Sequence, residues 1–179
     1  MRAFVIAFLL ALFATPSFAS DRKVEDFYGA YLGHGEEVPL AESDKQKRTR
    51  FSQVIIRPAK EEKAGFTIEW STMKLKGDEL PAPVDTKTYA LTFRPTDQPN
   101  VYRDVQTDPK ENEASWAVIS NGTLSIIQVS VAPDGGFVVG RYDRKLTPKG
   151  MDVRFTRVEN GKLVRSVKLN LLKGPAKVN

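Results

Sequence analysis

The feature that most constrains the fold is an alternation of large apolar residues with a period of two. Residues 66–71, 89–93 and 151–155 are clear examples, in which apolar side chains take every second position. Because successive side chains of a strand point to opposite faces of a sheet, each stretch predicts a strand with one buried and one solvated face. No sustained helical period follows the N-terminal segment, so the sequence predicts an all-β domain.

Turn signals follow one another at a nearly even spacing in the C-terminal half. They are Asn121-Gly122, Asp134-Gly135-Gly136, Pro148-Lys149-Gly150 and Asn160-Gly161. Asn-Gly is a strong hairpin signal, because a type I′ turn needs positive φ at both central residues. We therefore predict an antiparallel meander with strands near residues 114–120, 123–132, 136–143, 150–158 and 162–172.

The N-terminal half adds less regular strands, which bring the predicted total to nine or ten. They are expected near residues 27–33, 49–57, 65–74, 87–95 and 100–105. Closing such a meander on itself removes both exposed sheet edges, so we favour a single antiparallel up-and-down barrel of about eight to ten strands. A two-sheet β-sandwich is the structural alternative. Short helices are expected only at residues 21–26 and 40–50.

The N-terminus has the pattern of a secretory signal peptide. Arg2 is followed by an apolar run over residues 3–13, then by Pro16 and by Ser17-Phe18-Ala19. The run is about half the roughly 20 residues that a bilayer span needs, which argues against a transmembrane segment. We predict cleavage near Ala19, a periplasmic or secreted protein, one β-barrel domain over residues 20–172, and a flexible tail over 173–179.

The composition excludes several kinds of site. With no cysteine and one histidine in 179 residues, the chain has no disulfide, no thiolate site and no multi-histidine metal centre. The segment His34-Gly35-Glu36-Glu37 predicts an exposed loop, because adjacent glutamates beside a glycine do not form a rigid ligand set. No nucleophile elbow, phosphate loop or dinucleotide motif is present. We expect neither a metal nor a cofactor, and no enzyme activity, with a carboxylate-based hydrolase as the remaining possibility.

The first predicted strand carries a family resemblance. The segment Asp26-Phe27-Tyr28-Gly29-Ala30-Tyr31 resembles the Gly-x-Trp opening of lipocalins and other calycin barrels, with Tyr31 where that family has tryptophan. In that family an arginine of the last barrel strand packs across this aromatic ring, and the resemblance makes Arg157 the candidate. The order of signal peptide, Gly-x-aromatic strand and hairpin meander is also similar to the family layout, and to that of small exported bacterial proteins. The resemblance implies a calycin-like barrel.

Basic residues are concentrated in the last strands, with ten basic and three acidic residues between positions 141 and 173. Strand parity places Arg141, Arg157 and Arg165 in step with apolar neighbours, which predicts that they face the interior. A guanidinium there must reach the mouth, meet a carboxylate, stack on an aromatic ring or bind an anion. The alternative is that these side chains lie at strand ends and extend outwards over aromatic rings.

A second basic segment, Lys45-Gln46-Lys47-Arg48-Thr49-Arg50, has no interleaved aromatic residue for base stacking. It predicts a solvated loop or a contact with an anionic envelope surface, and no nucleic-acid binding.

Together these features predict an exported binding protein that carries or senses a small amphiphilic anion, such as a fatty acid, in a barrel interior. The predicted ligand-binding residues are Arg141, Arg157, Arg165, Tyr31, Trp70, Phe93 and Phe155. The alternative is a protein-interaction module or inhibitor of the cell envelope that acts through loops on a solid barrel. The sequence leaves the oligomeric state open.

Overall fold

The structure, a computed structural model, describes residues 22–40, 48–74, 87–105 and 112–174. The predicted signal peptide, most of the possible helix at 40–50 and the tail beyond residue 174 lie outside these ranges. One short 3-10 helix precedes ten strands. They are η1 (Val24–Phe27), β1 (Gly29–Glu37), β2 (Thr49–Pro58), β3 (Phe66–Lys74), β4 (Lys87–Pro95), β5 (Val101–Asp104), β6 (Glu113–Ser120), β7 (Thr123–Val131), β8 (Phe137–Thr147), β9 (Gly150–Glu159) and β10 (Lys162–Lys173). No helix within the described ranges has the length and apolar character to span a membrane.

The ten strands form one closed antiparallel barrel. Each strand pairs with its neighbours along the chain, and β1 pairs with β10 to complete the circle. The predicted all-β up-and-down barrel is therefore confirmed, and the sandwich alternative is excluded because no sheet edge remains open.

Most strand boundaries differ from the predicted ones by one or two residues, and three of the differences concern residues with predicted roles or charges. Strand β1 continues through Glu37, so the segment from His34 to Glu37 belongs to a strand and not to a loop. Strand β8 runs to Thr147, four residues beyond the predicted end, because Lys145 faces outwards and Leu146 continues the inner face. Strand β10 includes Lys173, which was expected to begin the loose tail.

The predicted Asn-Gly hairpins are present. Asn121 and Asn160 have φ values of 49° and 50°, and the glycines that follow them are also in the left-handed region. These two-residue turns match the right-handed twist of paired strands and set the registers of β6 with β7 and of β9 with β10.

Barrel closure depends on two glycines of β1. A Cβ atom at Gly33 would overlap the backbone carbonyl of Asn170, and one at Gly35 would overlap that of Lys168. Strands β1 and β10 therefore approach each other at a distance that only glycine permits on the inner face.

The two ends of the barrel differ in content. At the η1 end, the helix side chains Val24 and Phe27 cover a core of fully buried apolar residues. Its largest members on the strands are Tyr31, Ile56, Phe66, Ile68, Phe93, Leu124, Ile126 and Met151. At the other end, which we call the arginine end, β1 finishes at Glu37 and β2 begins with Arg50. The inner face there carries arginine and aromatic side chains.

Candidate functional site

The candidate site is centred on Arg144, the largest fully buried side chain described. Arg144 lies on β8 between Tyr142 and Leu146 in the inward phase, and it pairs in register with Leu124 of β7 and Val153 of β9. Its side chain therefore points into the barrel from the level of Leu124, a member of the apolar core. Only 1% of the residue is exposed.

The guanidinium of Arg144 is poorly satisfied. Its Nε and Nη1 atoms are buried and have no hydrogen-bond partner, and no ion pair among the described residues includes Arg144. Burial lowers the pKa of Arg144 to about 10, and the nearby Tyr142 and Asp143 oppose this shift. The side chain therefore remains a cation at neutral pH, in a place where an unpaired charge costs free energy.

Aromatic rings surround this cation. The Cζ atom of Arg144 lies 5.1 Å from the ring centroid of Tyr142 and 5.8 Å from that of Trp70. Tyr142 packs on Phe155 at 4.5 Å between centroids, and Trp70 stacks on Tyr89 at 5.3 Å. Cation–π contacts compensate part of the lost hydration but leave N–H donors unused. Burial also raises the pKa of Tyr142, so its hydroxyl stays protonated.

A second arginine cluster lies nearer the rim. Glu37 of β1 accepts a hydrogen bond of 2.6 Å from Nη2 of the buried Arg50, and its other oxygen lies 2.9 Å from Nε of Arg165. Burial alone would raise the pKa of Glu37. The hydrogen bond from Arg50 and the positive charges of Arg165, Arg50 and Arg48 outweigh it and hold the pKa below its ordinary value. The ionised carboxylate of Glu37 on β1 therefore links this strand to Arg50 of β2 and to Arg165 of β10.

The two clusters are connected by rings. Arg165 lies over Phe155, with its Cζ atom 5.9 Å from the ring centroid, and Phe155 packs on Tyr142, which contacts Arg144. Exposure rises along this path, from Arg144 through the partly buried Phe155 to Arg157, whose side chain is 46% exposed. The path leads from the buried cation to solvent at the arginine end.

The parity prediction was wrong for Arg141 and right for the other two arginines. Arg141 lies on the outer face, where its Nε donates to Oδ1 of Asp143 at 2.8 Å. The error arose because parity was counted from Phe137 and Val139, which also face outwards. Arg157 and Arg165 pair with each other in register and share the inward phase of Phe155 and Val167. Arg157 contacts Glu159 at the rim.

Tyr31 and Phe93 belong to the packed core of the η1 end. The Tyr31 hydroxyl donates to the carbonyl oxygen of Phe27 at 2.9 Å, and Phe93 stacks on Phe66 at 5.0 Å. The cation across the Tyr31 ring is Lys173 of β10, at 5.9 Å, and not Arg157. Arg157 was the wrong candidate because it lies at the opposite end of the barrel.

The structure thus brings together Trp70, Phe155 and Arg165 from the predicted set, and it adds residues that the prediction did not contain. These are Arg50, Glu37, Tyr89, Tyr142 and Arg144. Arg50 was counted both in the basic segment 45–50 and at the start of the predicted strand 49–57. It lies in step with Ser52, Val54 and Ile56, and this alternation was the signal that could have placed its side chain on the inner face. Arg144 likewise alternates with Tyr142 and Leu146, which could have predicted that its side chain faces the interior.

No metal site is evident in the described part of the chain, which holds no cluster of three potential ligands. His34 is exposed on the outer face of β1, on the opposite side of the strand from Gly35 and Glu37. The segment His34–Glu37 therefore divides between two faces of the barrel.

Comparison with solved structures identifies a fold neighbour. The chain is similar to the S-type phycobiliprotein lyase CPES from Guillardia theta, with a TM-score of 0.55 and 11% sequence identity. The alignment covers 89% of this chain and 97% of the lyase chain. The fold is a calycin-like barrel. No protein-family model and no curated protein matches the sequence.

Proposed function

We propose that this protein binds a small amphiphilic anion at the arginine end of its barrel. The observation that carries the proposal is the buried cation Arg144, which has two unused nitrogen donors among aromatic rings. An arginine that stabilised the fold would be expected to have a carboxylate or carbonyl partner, as Arg50 has in Glu37. A carboxylate or phosphate of a ligand would supply that partner for Arg144.

The position of Arg144 determines how the ligand would lie. Between Arg144 and the η1 end the core is filled by fully buried side chains such as Phe66, Phe93 and Met151, so this part of the barrel does not house an alkyl tail. The anionic group would enter first and meet Arg144. The apolar part would then extend towards the rim over Tyr142 and Phe155. This orientation differs from the prediction of a ligand inside the barrel whose head group is bound by Arg141, Arg157 or Arg165.

Fluorescence titration tests this proposal directly. Trp116 is exposed on the outer face, so the Trp116→Phe variant leaves Trp70, beside Arg144, as the single tryptophan reporter. Dodecanoate and dodecanol, which share a tail and differ in charge, serve as the probes. We expect dodecanoate to bind at least tenfold more tightly, because a charged hydrogen bond to a buried guanidinium is worth about 1.5–3 kcal/mol.

Two arginine variants identify the binding group. Arg144→Met should abolish the preference for dodecanoate, whereas Arg141→Met, on the outer face of the same strand, should retain it. Equal affinity of the two probes, or no binding of either one, would contradict the proposal. The second result would favour the alternative of an interaction module on a solid barrel.

We propose export of this protein but not catalysis. Export is tested by the intact mass of the protein from a secreting host, which should show loss of residues 1–19. We do not propose lyase activity, because similarity to a solved structure at 11% sequence identity supports the fold alone.

A further inference from the structure

A cluster of apolar side chains lies exposed on two adjacent hairpins of the arginine end. Val131 and Phe137 flank the β7–β8 turn, and Leu163 and Val164 follow the β9–β10 turn. Each of the four is 38–43% exposed. We call these four residues the apolar tips. Isolated exposed apolar residues are common, but a group on neighbouring turns indicates a contact surface.

The apolar tips are held in a fixed arrangement. The backbone N–H of Phe137 donates to Oδ1 of Asn160 at 2.8 Å, and the backbone N–H of Asn160 donates to the carbonyl oxygen of Phe137 at 2.9 Å. Asn160 therefore joins the two turns. Outward-facing Val129, Val139 and Val158 continue the apolar surface in register across β7, β8 and β9 to Leu163.

The surroundings of the apolar tips are basic. Residues 131–141 and 154–168 contain six arginines and lysines and two acidic residues, a net charge of +4. Asp134 caps its own turn through the N–H of Gly136. Three of the six cations are in ion pairs, and the three outside the ion pairs of the described residues are Arg154, Lys162 and Lys168. Apolar side chains within a basic surround match the surface of an anionic bilayer, whose headgroups attract cations while apolar groups enter the interface.

We infer that the apolar tips dock this protein onto an anionic lipid surface. This surface is separate from the Arg144 site and lies at the same end of the barrel. The inference does not depend on which ligand Arg144 binds, or on whether it binds one. A protein partner or a second copy of this chain would present a different chemistry, and the experiment below distinguishes them.

Vesicle co-sedimentation tests the inference. The probes are vesicles of phosphatidylcholine alone and of phosphatidylcholine mixed with phosphatidylglycerol, with protein whose N-terminus has been established by intact mass. We expect binding to the anionic vesicles that falls steeply with added salt. The double variant Phe137→Ser/Leu163→Ser should reduce the partition coefficient at least tenfold, and Lys162→Gln should reduce it several-fold.

Matched controls come from the η1 end. Leu172 is more exposed than any of the apolar tips, and Lys149 is an exposed cation in the β8–β9 turn. Leu172→Ser and Lys149→Gln should leave vesicle binding unchanged. Equal loss in tip and control variants, or no binding to anionic vesicles, overturns the inference. It is also overturned if the tip variant converts a dimer into a monomer by light scattering without any effect on vesicles.

Discussion

The η1 end and the arginine end are built from the same ten strands but satisfy opposite physical requirements. At the η1 end the core is formed by apolar side chains, the Tyr31 hydroxyl donates to the carbonyl oxygen of Phe27, and aromatic rings pack on one another. At the arginine end, the guanidiniums of Arg50 and Arg165 share one carboxylate, Glu37, and no ion pair of the described residues includes Arg144. The first arrangement maximises stability. The second keeps an uncompensated charge, which is typical of a binding site.

The largest expected effect tests the η1 end. Phe93→Ala removes a fully buried ring that stacks on Phe66, and it should lower the free energy of unfolding by about 3–5 kcal/mol. Urea denaturation measures the change. Leu172→Ala, an exposed residue at the same end, should remain within about 0.5 kcal/mol of the wild type. A Phe93→Ala loss below about 1 kcal/mol would show that this end is loosely packed.

The next effect tests the paired cluster of the arginine end. Glu37→Gln leaves the buried Arg50 without its carboxylate and should cost about 3 kcal/mol. The control is Glu69→Gln, which breaks the more exposed outer pair of Glu69 with Arg57 and should cost about 1 kcal/mol or less. Similar costs for both variants would mean that Glu37 stabilises the barrel no more than a surface ion pair does.

A smaller effect follows from the lowered pKa of Glu37. Because its folded pKa lies below the ordinary value of about 4.3, its contribution to stability is present above that value and is lost as pH falls through the folded pKa. The difference in unfolding free energy between wild type and Glu37→Gln should therefore shrink as pH is lowered from neutral. Denaturation curves at several pH values measure it. A difference that stays constant down to pH about 3 would assign the effect to something other than ionisation.

The smallest effect concerns the cation over Tyr31 at the η1 end. Lys173→Met removes a charge 5.9 Å from the ring centroid and should cost about 0.5–1 kcal/mol. Lys149→Met, at the same end, serves as the control. No difference between the two variants would show that Lys173 contributes only as an exposed side chain.

The contrast between the two ends also explains what could be predicted from the sequence. The closed barrel followed from the alternation and the hairpin turns, because both are local and repeated. The packed end was visible in runs such as Phe66, Ile68 and Trp70, where all large residues share one phase. At the arginine end, β8 carries apolar residues in both phases, Phe137 outwards and Tyr142 inwards, and parity alone does not choose between them.

The pairing of Glu37 with Arg50 and Arg165 could not be predicted from local sequence patterns for another reason. Glu37 and Arg50 lie 13 positions apart on neighbouring strands, and Arg165 reaches Glu37 from the last strand through barrel closure. A register shift between Leu163 and Arg165 further breaks the alternation of β10, so that Leu163 faces outwards and Arg165 inwards. Pairings of this kind depend on the three-dimensional register, which one sequence does not specify.

The most direct test of the account compares the stability of the wild type and Arg144→Met without ligand. If Arg144 is kept to bind an anion, replacing the unpaired cation by an apolar side chain of similar length should raise the free energy of unfolding by about 1–4 kcal/mol while the preference for dodecanoate disappears. Urea denaturation beside the fluorescence titration gives both quantities. A variant that loses stability and still prefers dodecanoate would contradict the central claim, because Arg144 would then support the fold and not the ligand.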